Sequence, residues 1–190
     1  MFELFHGHLI NKAGKHNYCK PESVQNLIRY IARDRENEDK YEELLACGAW
    51  GCLEILGTDG VIGGFELARL CYKRRGAFGR YVDHEIYEFS CYELMQFQEL
   101  HISCELVARE LARNIYKEGY QVFWGVHIKD KGSLKIHVHF AVSTVNFNTG
   151  RKRHENWQAT KQRELQMQRI IDAIIRKEEC KANTTENLPF

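Results

Sequence analysis

Two stretches of alternating apolar residues, 120–129 and 134–145, are separated only by Asp130-Lys131-Gly132-Ser133. A gap that short cannot hold a crossover, so the two strands must pair antiparallel as a hairpin. Gly132 supplies the positive φ that a three-residue loop over 131–133 requires. With that loop, residue 127 falls opposite residue 137, and residue 125 opposite residue 139. Side chains alternate across a strand, so His137 and His139 point to one face and His127 joins them. Gly125 leaves space beside His139. Three imidazoles so placed are a facial set of metal ligands with open positions for a substrate. Such sets usually select zinc on affinity, whereas magnesium prefers oxygen, so the residues alone leave Mn, Mg and Zn open. The competing reading is a chance His-x-His on a strand, which nine histidines in 190 residues make less rare.

The rest of the chain supplies partners for the hairpin. Alternation predicts strands over 2–10 and 82–91. Val24, Leu27, Ile28 and Ile31 recur at helical spacing behind Pro21, which predicts an amphipathic helix over 21–33. Cys47-Gly48-Ala49-Trp50-Gly51 leads into a short apolar run at 53–56, and Thr58-Asp59-Gly60 reads as a turn before a helix at 62–74. Residues 102–118 form the clearest helix, closed by Gly119, and a long polar helix covers 155–178. The expected class is α/β (α+β), with a central, mainly antiparallel sheet of about five strands flanked by helices. One domain is expected over 1–180, with 181–190 a frayed tail. Two prolines and 44% hydrophobic residues exclude a disordered or collagen-like chain. No apolar run approaches the roughly 18 residues that span a bilayer, so no membrane insertion is expected. Seven scattered cysteines without a CxxC pair suit reduced thiols and a cytoplasmic location.

A formal net charge of +1 looks unlike a nucleic-acid binder, but the charges are segregated. Residues 69–80 carry five basic residues and no acid, 151–177 carry eight against three acids, and 34–54 carry seven acids against two basic residues. Such runs are usually solvated faces. The two basic segments nonetheless suit a groove that tracks single-stranded DNA, with Phe147 and Trp157 available to stack on bases.

A family resemblance accounts for these features together. The His-hydrophobe-His strand, the upstream His127 and the downstream Val145-Asn146-Phe147-Asn148-Thr149-Gly150-Arg151-Lys152 resemble the third motif of plasmid mobilisation relaxases, DNA-strand transferases of the HUH endonuclease superfamily. Asn26-Leu27-Ile28-Arg29-Tyr30-Ile31 is similar to the first motif of that family, which bears the nucleophilic tyrosine on a helix. His84-Glu85-Ile86-Tyr87-Glu88-Phe89-Ser90 resembles another of its strands. The chain departs from the pattern where members commonly carry an Asp two residues after the first His, a position held here by Lys129.

The resemblance implies a relaxase-like fold and metal-dependent, strand-specific nicking and rejoining of DNA at an origin of transfer. Tyr30 would form a 5′-phosphotyrosyl intermediate, and His127, His137 and His139 would hold a divalent metal, Mn or Mg in function with Zn open. Implied partners are single-stranded DNA at the origin, with a flanking hairpin, accessory mobilisation proteins and a coupling protein. Tyr30 itself lies about 60° from Leu27 on the helical wheel, at the border of the apolar stripe, where a ring can pack and a hydroxyl face outward. Tyr18 and Tyr41 are rival nucleophiles. His84 and Glu88, on one strand face, are expected as proton acceptor or as support behind the ligands. Arg29, Arg33, Lys73, Arg74, Arg75, Asn146, Asn148, Arg151, Lys152 and Arg153 are expected to contact DNA. Alternatives are a rolling-circle replication initiator or transposase of the same superfamily, a His-x-His nucleotide phosphohydrolase, and a non-catalytic DNA-binding module.

Overall fold

Antiparallel pairing dominates the computed structural model, which describes residues 6–12, 17–34, 42–72, 79–130 and 134–186. Strands β1 (His8–Asn11), β2 (Glu42–Trp50), β3 (Val82–Glu88), β4 (Val122–Asp130) and β5 (Leu134–Ser143) form one sheet in the order β1-β3-β5-β4-β2. Every neighbouring pair in it is antiparallel. Among the described residues, five α-helices flank the sheet: α1 (Glu22–Ile31), α2 (Gly57–Cys71), α3 (Cys91–Glu99), α4 (Cys104–Lys117) and α5 (Trp157–Glu186). The α+β architecture expected from the sequence is the one observed.

Period-2 alternation sorts the central strands between two cores. Val122, Trp124 and Val126 of β4, with Val138, Phe140 and Val142 of β5, pack with Val107, Leu111 and Ile115 of α4 and with Met167 and Ile171 of α5. On the opposite face, Phe123 and Ala141 pack with Val24, Leu27, Ile28 and Ile31 of α1 and with Val61 and Phe65 of α2. The odd-numbered histidines belong to this second face. Helix α1 therefore sits where its border residues overhang them.

Several local expectations change. The fifth strand is β2, for which the sequence pattern gave no bounds, and the apolar run at 53–56 forms a turn of 3-10 helix at Glu54–Leu56. The uncharged stretch 44–50 pairs with β4 along its length, across a bulge at Leu44/Ala46. Thr58-Asp59-Gly60 lies inside α2 rather than in a turn. A Cβ at Gly60 would stand 2.2 Å from the Leu53 carbonyl oxygen, so this helix depends on a close backbone approach that the turn reading ignored. Helix α3 was missed, although Ser90-x-x-Glu93 announces it: Ser90 Oγ accepts from the Glu93 N–H at 3.1 Å and Glu93 accepts from the Ser90 N–H at 2.9 Å. Helix α5 continues to Glu186, past the end at 178 expected for it. The strand expected over 2–10 is described only from His8, and the loop 131–133 lies outside the described residues.

Candidate metal centre

The register inferred from the short loop is the register observed: His127 pairs with His137, and Gly125 with His139. The three imidazoles share one face of the central hairpin, and all are buried. A fourth group joins them. Glu42, the first residue of β2, stands opposite Lys129, and its Oε1 lies 2.9 Å from His137 Nε2, 3.4 Å from His127 Nδ1 and 3.7 Å from His139 Nε2. His137 Nε2 and His139 Nε2 are 3.0 Å apart.

These separations suit one shared cation. Donor atoms held about 2.1 Å from a common ion lie roughly 3.0–3.4 Å from their neighbours, and the four separations here, 2.9–3.7 Å, bracket that spacing. The protons point the same way. His127 Nε2 is 2.8 Å from the Ile31 carbonyl, which can only accept, so that nitrogen carries the hydrogen. In the neutral ring, the Nδ1 lone pair then faces a carboxylate oxygen, and a cation between them satisfies both. The carbonyl of Ile31 thus orients His127 as an outer partner orients a metal ligand. Glu42, His127, His137 and His139 form a donor set that fits a divalent ion.

Glycine makes this approach feasible. A Cβ at residue 125 would lie 2.6 Å from Ile31 Cγ2 and 3.1 Å from the Ile31 carbonyl oxygen. Gly125→Ala is expected to push α1 off the sheet and to weaken the His127–Ile31 bond. Overpacking of this kind costs about 1–3 kcal/mol, and urea denaturation with a parallel metal titration would show both losses. An unchanged midpoint would mean that α1 yields freely.

Two of the rings, His84 and His139, resist protonation. Burial first of all lowers His84 to about 3 and His139 to about 4. The imidazoles of His127, His137 and His139 closing on Glu42 hold its carboxyl far below the usual carboxylate range. A neutral imidazole has a lone pair to give, and at His139 burial reduces the competition from protons. The unfolded chain protonates these histidines near 6.5, whereas the native state resists protonation. Metal-free protein should therefore have its full stability above pH 6.5 and lose it progressively as the pH falls through about 4. Glu42 adds to the loss at the acid end. Thermal midpoints measured across that range would check this, and a flat profile would contradict a neutral cluster.

Tyr30 overhangs the cluster from α1. Its half-buried ring has its centroid 5.4 Å from that of His139, 6.2 Å from His127 and 6.3 Å from His84. Tyr18, Tyr30, Glu42, His84, His137 and His139 line a cleft of about 560 Å³. Tyr41 lies outside the described residues. His84 joins the cluster from β3, with both ring nitrogens engaged: Nε2 lies 2.9 Å from His139 Nδ1 and Nδ1 lies 2.8 Å from Tyr18 Oη. Glu88 pairs opposite His137 and lines the same cleft, and its carboxylate accepts from Lys135 Nζ at 2.6 Å.

The expected DNA contacts divide. Lys73, Arg74 and Arg75 lie outside the described residues. Asn148 and Arg151 are exposed, as is Trp157 at the start of α5. Arg29 is half-buried and pairs with Asp59 at 3.3 Å. The others have partners within the fold. Arg33 lies 3.7 Å from the Glu42 carboxylate and also donates to the Glu42 carbonyl. Asn146 donates to the Glu118 carbonyl at 2.7 Å and accepts from the N–H groups of Asn148 and Thr149. Lys152 donates to the Arg80 carbonyl at 2.6 Å, and burial lowers its pKa to about 8. Arg153 is buried among Asp83, Glu85 and Glu155 at 3.3–3.6 Å. Local basic charge in the sequence did not distinguish these inward cations from outward ones.

Residues 18–179, more than four-fifths of the chain, match the family described as relaxase, MobA/VirD2-like, nuclease domain. The chain belongs to this relaxase family. Comparison with curated proteins and with solved structures gives no match. Membership makes the domain a DNA-processing nuclease, and the buried Glu/His₃ group is compatible with the metal such chemistry uses. Glu42 is the functional candidate that sequence reasoning missed. Its signal was the uncharged run 44–50, which extends an edge strand back to residue 42 once it is paired with β4. Among the described residues, no helix is long and apolar enough to cross a membrane.

Proposed function

We propose that this relaxase nicks and rejoins one DNA strand at an origin of transfer, with Tyr30 as nucleophile, as the initiating step of conjugative mobilisation. The observation that carries the reading is the Tyr30 ring standing 5.4 Å from the ring of His139, in a cleft floored by the donor set. Tyr30 Oη attacks the phosphorus of a phosphodiester, and a bond forms between Tyr30 and the 5′-phosphate. The bond to the 3′-oxygen breaks, its electron pair stays on that oxygen, and the phenolic proton is lost to yield, overall, a free 3′-hydroxyl. Bond energy is conserved in the phosphotyrosyl ester, so attack by a 3′-hydroxyl reseals a strand without a nucleotide cofactor.

A phenol ionises near 10 and needs help at neutral pH. His127, His137, His139 and Glu42 would hold a divalent ion, Mn or Mg in function, which supplies Lewis-acid polarisation of the scissile phosphate. The protein's own part is to hold Tyr30 above that position on a helix anchored by Val24, Leu27, Ile28 and Ile31. Exposed Arg151 and Asn148 lie in the turn that follows β5 and suit contacts to the backbone of single-stranded DNA. Accessory mobilisation proteins and a coupling protein belong to the same reading.

The test is a covalent trap. Protein with Mn²⁺ is mixed with single-stranded origin DNA carrying a bridging phosphorothiolate, and adducts are resolved on denaturing gels. Mass spectrometry should find the nucleotide on the peptide that contains Tyr30. An adduct on another residue, or cleavage leaving a 5′-phosphate and no adduct, would overturn the assignment.

A further inference from the structure

We propose that Tyr18 presents its hydroxyl proton to the anionic oxygens of bound DNA, and that metal binding sets this orientation through His84. The inference rests on the donor set and cleft assigned under the proposed function. Its basis is an unbroken string of three groups: His139 Nδ1 to His84 Nε2 at 2.9 Å, and His84 Nδ1 to Tyr18 Oη at 2.8 Å.

Each link in the string holds one proton, and the protons can run in two directions. Without an ion, Tyr18 O–H donates to His84 Nδ1 and His84 Nε2–H donates to His139 Nδ1. His139 then carries its own hydrogen on Nε2, facing His137 Nε2 at 3.0 Å and Glu42 Oε1 at 3.7 Å. That arrangement cannot persist when Nε2 gives its lone pair to a cation. His139 must then carry its hydrogen on Nδ1 and donate to His84 Nε2. His84 in turn carries its hydrogen on Nδ1 and donates to Tyr18 Oη. The string reverses by relocating hydrogens, while every nitrogen and oxygen stays in place.

The reversal changes what Tyr18 offers. In the first state its proton is held by the protein. In the second its oxygen accepts from His84, and its O–H is released towards another acceptor. The Tyr18 ring lines the same cleft as Tyr30, His137 and His139, so a phosphate oxygen or a forming phenolate there is the acceptor at hand. The backbone holds Tyr18 firmly: its φ is +59°, in the left-handed region, and its carbonyl accepts from the Tyr81 N–H at 2.7 Å. A hydroxyl aimed at developing negative charge contributes through preorganisation, as other fixed donors do. Tyr18 thus becomes a substrate-contacting group, distinct from the nucleophile.

Two measurements test this. In protein labelled with ¹⁵N-histidine, titration with Zn²⁺, a diamagnetic probe, should move His84 from the Nε2–H to the Nδ1–H tautomer. This reading needs no DNA cleavage, so it stands or falls separately from the proposed function. Tyr18→Phe should bind Zn²⁺ within several-fold of the parent and still trap its adduct on Tyr30. Its cleavage rate at saturating DNA should fall by about 10-fold or more, the range set by loss of one charge-directed donor. A His84 tautomer unaffected by Zn²⁺, an unchanged rate in Tyr18→Phe, or a parent adduct mapping to Tyr18 would each overturn the proposal.

Discussion

Tyr30→Phe is expected to form no covalent adduct with origin DNA and to lose strand cleavage by at least about 10⁴-fold, because it lacks the oxygen proposed to attack phosphorus. The size of the effect follows from the role. A nucleophile is not one of several stabilising contacts but an atom of the intermediate. The substitution is otherwise mild. Tyr30 is half-buried at the border of α1, whose anchoring residues are Val24, Leu27, Ile28 and Ile31, so a phenyl ring keeps the packing. Stability should change by less than about 1 kcal/mol, and binding of single-stranded DNA should persist. Denaturation, binding and adduct formation measured together separate a lost nucleophile from a lost fold. A Tyr30→Phe protein that still traps an adduct would remove Tyr30 from the mechanism.

His137→Ala carries the second large effect. His137 sits closest to Glu42, at 2.9 Å, and 3.0 Å from His139, so its ring is central to the donor set. Its loss should weaken Mn²⁺ binding by at least about 100-fold, beyond what loss of an outer partner usually costs. Metal bound only to the native state stabilises by about 2.7 kcal/mol at 100 times its dissociation constant. The parent should therefore show a rise in thermal midpoint with Mn²⁺, and His137→Ala should show almost none at the same concentration. Chelation of the parent should stop cleavage and re-addition should restore it, whereas the variant should remain inactive. Equal metal-induced shifts in the two proteins would remove His137 from the site.

The central hairpin was legible because its constraint is local. Four residues between two alternating runs leave one pairing, and pairing by twos assigns every side chain to a face. His127 could therefore be placed beside His137 and His139, and Gly125 recognised as a gap, before any tertiary contact was known. Helix α4 was equally clear, since Ser103 caps its start, Gly119 follows its end with φ +95°, and Val107, Leu111 and Ile115 mark its buried face. Helix α3 carried a readable cap as well, but its weakly amphipathic residues hid it.

Glu42 was not legible in the same way. It stands 85 residues from His127 in the chain, and it enters the cluster only because β2 closes the edge of the sheet beside β4. Nothing within its own neighbourhood distinguishes it from Glu43. Arg153 and Lys152 show the converse. In the sequence they continue a basic run, yet the chain turns after Gly150, and antiparallel bridging of Lys152 to Val145 carries them back against the sheet. There Arg153 meets Asp83 and Glu85, and its charge is neutralised inside the protein.

By itself, then, the sequence determined the hairpin, the common face of its three histidines, the amphipathic helix bearing Tyr30 and the family resemblance, since each depends on spacing within a short stretch of chain. Only the tertiary structure decided that Glu42 completes the donor set, that His84 links His139 to Tyr18, and that three of the five described cations expected at DNA, Arg33, Lys152 and Arg153, have partners within the fold. Those outcomes depend on which distant strands become neighbours. Strand order in an antiparallel sheet is set by the burial of whole faces, not by any pair of residues close in sequence.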